Sequence, residues 1–261
     1  VNDSQFGGFD LNQIPTEQIQ SIEISKNQAI GVGSTPIGGV IRINTYNPNK
    51  DKLKLSLSLG SFNHKQLNLL YNKAFQSNNL SVGGSYLKTD NDYEYPVPQS
   101  FTSSNESSIE PLGNNQFEKK NVYLNNQLSF GAHKIRITAQ YNEQEKALPN
   151  YQNNTPENAS SLSSDTWRLS YRHNIYTNLK WLNNVEFEAY QEDKAEQYLD
   201  ILADVKRLDA NYDTTKTHAD LISFFVFDNK YGDIAFSPFI ELNKQHFDSL
   251  SFDNNGQINC N

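Results

Sequence analysis

Methionine is absent from all 261 residues, and cysteine occurs once, at Cys260. A single thiol excludes an internal disulfide framework and any zinc site built on cysteines. No stretch approaches about 18 consecutive apolar residues, which excludes a transmembrane helix. It does not exclude a transmembrane β-barrel, whose strands need only about 10 residues of alternating character. Basic residues are scarce: 22 Lys and Arg stand against 30 Asp and Glu, a net charge of −8. That balance argues against a nucleic-acid partner, which would favour a basic patch. Catalytic constellations are also missing. The histidines at 64, 133, 173, 218 and 246 form no His-Glu-x-x-His, no Gly-x-Ser-x-Gly elbow occurs, and the lone cysteine has no evident base, so no enzyme is expected. The chain opens on Val1-Asn2-Asp3-Ser4 with no signal-peptide pattern and stops at Gln257-Ile258-Asn259-Cys260-Asn261 with no closing pattern. Both ends are expected to lie inside a longer exported protein.

What is present is aromatic. Hydrophobic residues make up only 36%, yet aromatics reach 12%, with 14 Tyr and 15 Phe. Disordered chains lack aromatics, so the low mean hydropathy points instead to apolar residues interleaved with polar ones.

From Leu53 onward the interleaving has period two. Leu53, Leu55, Leu57 and Leu59 alternate with Lys54, Ser56 and Ser58; Leu67, Leu69 and Tyr71 follow, then Leu80, Val82, Gly84 and Tyr86. The longest series is Trp167, Leu169, Tyr171, His173, Ile175, Thr177, Leu179 and Trp181. Such patterning predicts about nine antiparallel strands, each with one apolar and one polar face. After the first hairpin, whose loop Ser61-Phe62-Asn63-His64 is brief, their connections alternate in length. Short ones are expected at 76–79, 131–133, 182–184 and 229–232, and long polar ones at about 88–117, 146–165 and 192–218.

A soluble sandwich has no reason to keep its long loops at one end. An outer-membrane barrel does, with tight periplasmic turns and long extracellular loops. Tyr71, Phe75, Phe130, Tyr141, Trp167, Trp181, Tyr190 and Tyr231 lie near strand ends and fit interfacial aromatic girdles. The fold class is therefore all-β, an incomplete transmembrane barrel. The alternative is a soluble β-sandwich serving as a cell-surface binding module or adhesin, whose aromatics would be ordinary core. Nine strands leave an open edge, so more are expected beyond the chain.

Residues 1–49 have a different texture. Pro15 suits the first position of a short helix over Thr16–Gln20. A run Ile22-Glu23-Ile24-Ser25 reads as a strand, then come Gly31-Val32-Gly33-Ser34-Thr35-Pro36-Ile37-Gly38-Gly39 and a second strand, Val40-Ile41-Arg42-Ile43-Asn44-Thr45. A phosphate loop is ruled out, since no Gly-Lys-Ser/Thr follows and a strand rather than a helix comes next.

The order Ile14-Pro15 … Ile22-Glu23-Ile24 … Gly33-Ser34 … Ile37-Gly38-Gly39-Val40-Ile41-Arg42-Ile43-Asn44-Thr45 resembles the end of the plug domain of TonB-dependent outer-membrane receptors. The match covers roughly 30 residues. It departs from the family pattern at Ser25-Lys26-Asn27-Gln28 and at Gly31-Val32-Gly33-Ser34. The resemblance implies that 1–49 is the C-terminal part of a plug and 50–261 the first part of a barrel, of about 22 strands in the whole protein. It further implies a bacterial outer-membrane location, contact with outer-membrane lipid, and the TonB complex as partner through residues upstream. The function implied is import of a scarce large ligand, an iron–siderophore chelate or a cobalamin.

Two sets of candidate site residues follow. Asp90, Asp92 and Glu94 alternate in the first long loop, so an extended chain would place their carboxylates on one face, able to hold Ca²⁺. Calcium bound by loop aspartates is what the vitamin B12 receptors of the family show; a solvated acidic loop is the other reading. Tyr93, Tyr95 and Tyr151, with Phe101 and Tyr198, offer flat surfaces for an organic ligand, or pack on one another. On the polar face, Arg168, Arg172 and Lys180 lie opposite Glu186 and Glu188, to pair across strands or to contact a plug.

Overall fold

The computed structural model describes residues 19–25, 40–45, 50–97, 108–150, 154–155, 157–202, 205–227, 234–253 and 258–259. Near the N-terminus, β1 (Ile19–Ser25) pairs antiparallel with β2 (Val40–Thr45), setting Ile22 against Ile43 and Ile24 against Ile41. The short helix expected over Thr16–Gln20 fails at its end, because Ile19 and Gln20 belong to β1, where backbone pairing with β2 sets the conformation. The glycine-rich segment 31–39 lies outside the described residues.

The rest is one antiparallel sheet that follows chain order. It runs β3 (Lys52–Leu59), β4 (Lys65–Ala74), β5 (Asn78–Thr89), then β8 (Phe117–Phe130), β9 (His133–Ala147), β10 (Ser161–Leu179), β11 (Leu182–Leu202), β12 (Val205–Phe227), β14 (Phe239–Asp253) and the two-residue β15 (Ile258–Asn259). A small hairpin, β6 (Glu94–Pro96) with β7 (Ile109–Pro111), stands between β5 and β8, and β13 (Ile234–Phe236) pairs with β12. Setting aside β13 and β15, nine strands form the sheet, as the periodicity anticipates. The ninth is broken at Ser237–Pro238. Proline has no N–H for the ladder, although the Pro238 carbonyl still accepts from the Ser223 amide at 3.1 Å.

Burial in this sheet is inverted relative to a soluble protein. On β8, Asn121, Asn125 and Gln127 are 1%, 8% and 5% exposed, while Val122 and Leu124 between them are 55% and 37% exposed. On β4, Asn68 and Asn72 are buried whereas Leu67, Leu69 and Tyr71 are open. Trp167, Leu169, Leu179 and Trp181 are likewise exposed. Among the described residues thirteen buried side chains are polar or charged, and six are hydrophobic. Water penalises a continuous apolar surface of this extent, whereas hydrocarbon favours it. The polar groups crowd the inner face and satisfy one another there: Asn68 Nδ2 donates to Ser56 Oγ (3.1 Å), and Ser81 Oγ to Asn72 Oδ1 (2.7 Å).

The apolar band has a charged edge on one side. Outward-facing Lys88 meets Glu118 at 3.2 Å, Lys120 meets Glu143 at 2.7 Å, and the Tyr141 hydroxyl donates to Asp165 at 3.0 Å. From Trp167 to Ile175 the strand covers about 26 Å at about 3.3 Å per residue, a rise of about 20 Å at a tilt of about 40°, which fits within the about 25 Å apolar height of an outer-membrane barrel. Six of the eight expected girdle aromatics face outward: Tyr71, Phe75, Phe130, Tyr141, Trp167 and Trp181. Tyr190 does not. It shares parity with Glu188 and Glu192 and so lies on the inner face. Tyr231 is outside the described residues.

Two of the three long connections are there, shortened because the strands run past the apolar band: 90–116 and 148–160. The third, expected over 192–218, is instead ladder. Asp193 pairs with Thr215 and Gln197 with Asn211, and only 203–204 separate β11 from β12. Over 192–197 and 213–218 both faces of this ribbon are polar, so the alternation that marks a strand disappears there, yet backbone pairing needs no apolar side chains. Thr215 Oγ1 donates to Asp193 (2.6 Å) and Gln197 Nε2 to Asp209 (2.9 Å), which adds side-chain support. Among the described residues the tight turns Phe75–Ser77, Gly131–Ala132 and Lys180–Trp181 lie at the opposite end, whereas the brief first hairpin loop, closed by the Gly60 amide on the His64 carbonyl at 3.0 Å, lies at the end of the long connections. The turn expected at 182–184 comes two residues earlier, because an irregularity between Tyr176 and Leu179 lets the β10–β11 pairing run on to Leu179 against Leu182.

Candidate functional site

The inner face carries a charged wall. In the register of β10 on β11, Arg172 stands opposite Glu188 and Arg168 opposite Glu192. Arg172 Nε donates to Glu188 Oε2 at 2.8 Å and lies 3.6 Å from Glu186; Arg168 lies 3.7 Å from Glu192, which also meets Lys216 of β12 at 3.4 Å. Arg172 pairs across strands with Glu186 and Glu188 as expected, whereas Arg168 pairs with Glu192, outside the expected set. Lys180 takes no part in this wall, since it sits in the exposed turn.

The Arg168 guanidinium lies 4.1 Å from the centre of the Tyr190 ring, which stacks on His218 at 4.9 Å. His218 contacts Asn243 at 2.6 Å and Asp220 at 3.1 Å. Asn125, Asn174 and Asp220 each keep a buried side-chain oxygen without a hydrogen-bond partner.

At the far end, the two loops are tied together by asparagines. Asn114 Nδ2 donates to the carbonyls of Leu148 (3.0 Å) and Ser160 (2.8 Å), and Asn158 Nδ2 also donates to Leu148 (2.8 Å). Asn154 Oδ1 accepts from the Gly113 amide (2.8 Å), while its Nδ2 donates to Glu110 (3.2 Å) and to the Pro111 carbonyl (3.0 Å). Asn114 and Asn154 have φ of 51° and 44°, a left-handed geometry that asparagine tolerates. Leu112 and Val97 are buried beneath. Hydrogen bonds from Ser108 (2.7 Å) and then from Asn154 hold the Glu110 carboxyl below its ordinary value. These clamps were not anticipated; the signal available was the recurrence of asparagine through 114–158.

The structure does not bring the proposed calcium ligands together. Asn91 has φ of 49°, which breaks the extended chain that would place Asp90 and Asp92 on one face. Asp90 instead accepts from Asn63 Nδ2 at 2.9 Å, and Asp92 and Glu94 are exposed. Among the described residues no group of three or more His, Cys, Asp or Glu side chains forms a metal-holding set. Tyr93 is exposed and meets Phe62 edge-on at 6.2 Å. Tyr95 is half-buried in β6, and burial raises its hydroxyl above the ordinary value. Tyr198 is half-buried in β11, far along the polar ribbon. Tyr151 and Phe101 lie outside the described residues.

No family model matches the sequence, and no curated protein does either. Solved structures do. The copper transporter OprC superposes with a TM-score of 0.62 over 90% of this chain and 35% of its own, at 12% identity. The ferric yersiniabactin uptake receptor FyuA from Yersinia pestis matches over 90% of this chain and 49% of its own, at 10% identity and a TM-score of 0.46. The chain thus spans about a third of the length of OprC. At such identities the likeness concerns fold alone, and the chain has the fold of part of a TonB-dependent receptor barrel.

Proposed function

We propose that this chain is part of a TonB-dependent receptor of the bacterial outer membrane that imports a scarce large ligand, an iron–siderophore chelate or a cobalamin-like compound. The observation that carries the reading is the inverted burial: a sheet whose apolar face is open and whose polar face is enclosed suits lipid outside and a hydrophilic lumen inside. In this reading 50–261 supplies the first barrel strands, and 1–49 is the C-terminal part of a plug. The charged wall of Arg168, Arg172, Glu186, Glu188 and Glu192 lines the lumen, and the clamped loops form its outer mouth. Tyr93, Tyr95 and Tyr151 are the aromatic candidates for the ligand. The TonB complex is the energy-coupling partner, engaged through residues upstream of Val1. A plug distinguishes active import of a bulky ligand from a passive pore, which needs none.

The test is membrane partitioning followed by uptake. Full-length protein should sediment with outer membranes and require detergent for release, and cells lacking it should lose uptake of one labelled chelate. A soluble, monomeric 1–261 that melts cooperatively without detergent would instead establish the β-sandwich binding module and overturn the receptor reading.

A further inference from the structure

On the outward face, beside the tight turn Gly131–Ala132, two imidazoles meet. His133 opens β9 and His173 lies on β10, in register with Ile135 and therefore diagonal to His133. His133 Nδ1 and His173 Nε2 are 3.0 Å apart. Phe130 stacks on the His133 ring at 5.2 Å and Tyr171 meets His173 edge-on at 6.2 Å, so aromatic neighbours hold both rings. Both histidines are half-exposed, and neither belongs to the charged inner wall or the loop clamps.

We infer that His133 and His173 form a two-nitrogen site for a divalent transition-metal ion of the copper, nickel or zinc class. Imidazole nitrogens bind such ions at about 2.0–2.1 Å. Two nitrogens at that distance are about 2.9 Å apart when the ion holds them at a right angle, and about 3.3 Å apart in a tetrahedron. The observed separation falls between these, so the ion enters with little movement of either strand. Without metal, one ring donates to the other. On binding, the donor ring carries its proton on its other nitrogen, so both lone pairs face the ion and no net proton is released. Among the described residues no third His, Cys, Asp or Glu joins the pair, and because His133 pairs with Phe130 beside the turn, at the rim of the apolar band, the remaining positions fall to water or another small ligand. The site rests on two cross-strand residues of a rigid ladder and does not depend on which ligand the receptor imports.

The probe is Cu²⁺ carrying nitrilotriacetate, which leaves about two neighbouring positions open for a paired-histidine site. It is titrated into the full-length protein, in detergent if membrane-bound and in buffer if soluble, so failure of the barrel reading leaves the test intact. One equivalent should bind, and its electron paramagnetic resonance spectrum should show two imidazole nitrogens. His133→Ala and His173→Ala should each weaken binding by about ten-fold or more, because the second nitrogen acts at high effective concentration. His246→Ala should leave it unchanged. A spectrum with one imidazole nitrogen in the unaltered protein would overturn the site without recourse to any variant. Binding that survives both substitutions would also overturn it.

Discussion

The ring of Tyr123 occupies the space that a side chain at Gly83 would need. Its Cε1 lies 2.5 Å from where a Cβ would stand, and the two residues face each other across β5 and β8. Gly83 is required here for close approach rather than for an unusual backbone angle. Gly83→Ala is expected to displace the ring and to cost about 1–3 kcal/mol. Unfolding of the full-length protein in detergent measures it, and the double variant with Tyr123→Ala should show less than the sum of the two single losses. Strict additivity would show that the two residues do not interact.

Leu169 and Ser170 are neighbours on β10 that face opposite ways. Leu169→Arg places a charge on the apolar band and should cost about 2–4 kcal/mol in a bilayer. Ser170→Arg, on the polar face, should cost less. Folding titrations of both variants into lipid vesicles provide the comparison, and equal costs would remove the lipid-facing assignment.

Removing the Asn114 amide takes one donor from each of the Leu148 and Ser160 carbonyls, which keep the Asn158 amide and the Leu148 backbone N–H respectively. Asn114→Ala should cost about 1–2 kcal/mol of loop stability, in a region that opens locally rather than with the whole barrel. Hydrogen exchange should accelerate in 108–116 and 148–160 but stay unchanged in β9 and β10. An unchanged loop would mean the asparagine clamp is dispensable.

Acid should loosen the same loops. Glu110 is held below its ordinary value by Ser108 and Asn154. Its contribution is therefore present above the value of the unfolded chain and is lost as pH falls through the lower, folded one. Limited proteolysis should speed up as pH drops below the ordinary carboxylate range, about 4.3 for glutamate. Glu110→Gln should flatten that dependence.

Much of the fold was legible because a strand with two unlike faces writes its orientation into parity. Leu67, Leu69 and Tyr71 share one face and Asn68 and Asn72 the other, and nothing downstream needs to be known to see it. The same rule, applied to Tyr190, would have put it beside Glu188 on the inner wall. Legibility ends where both faces are equally polar: 192–218 reads as loop because over 192–197 and 213–218 nothing in the side chains distinguishes a solvated ribbon from a solvated coil. The candidate site was less legible still. The spacing of Asp90, Asp92 and Glu94 implies a shared face only if the chain stays extended, and the left-handed Asn91 removes that condition.

By itself the sequence determined that the chain makes strands, about how many, and which side of each is apolar, since alternation is a local property. Three features were decided only by the tertiary structure. One is which face is enclosed, which depends on how the sheet as a whole curves. Another is the continuation of β11 and β12 beyond the apolar band, which rests on backbone pairing between residues far apart in sequence. The third is the meeting of His133 with His173 and of Asn114 with Leu148 and Ser160, contacts that exist only once the strand register brings distant segments together.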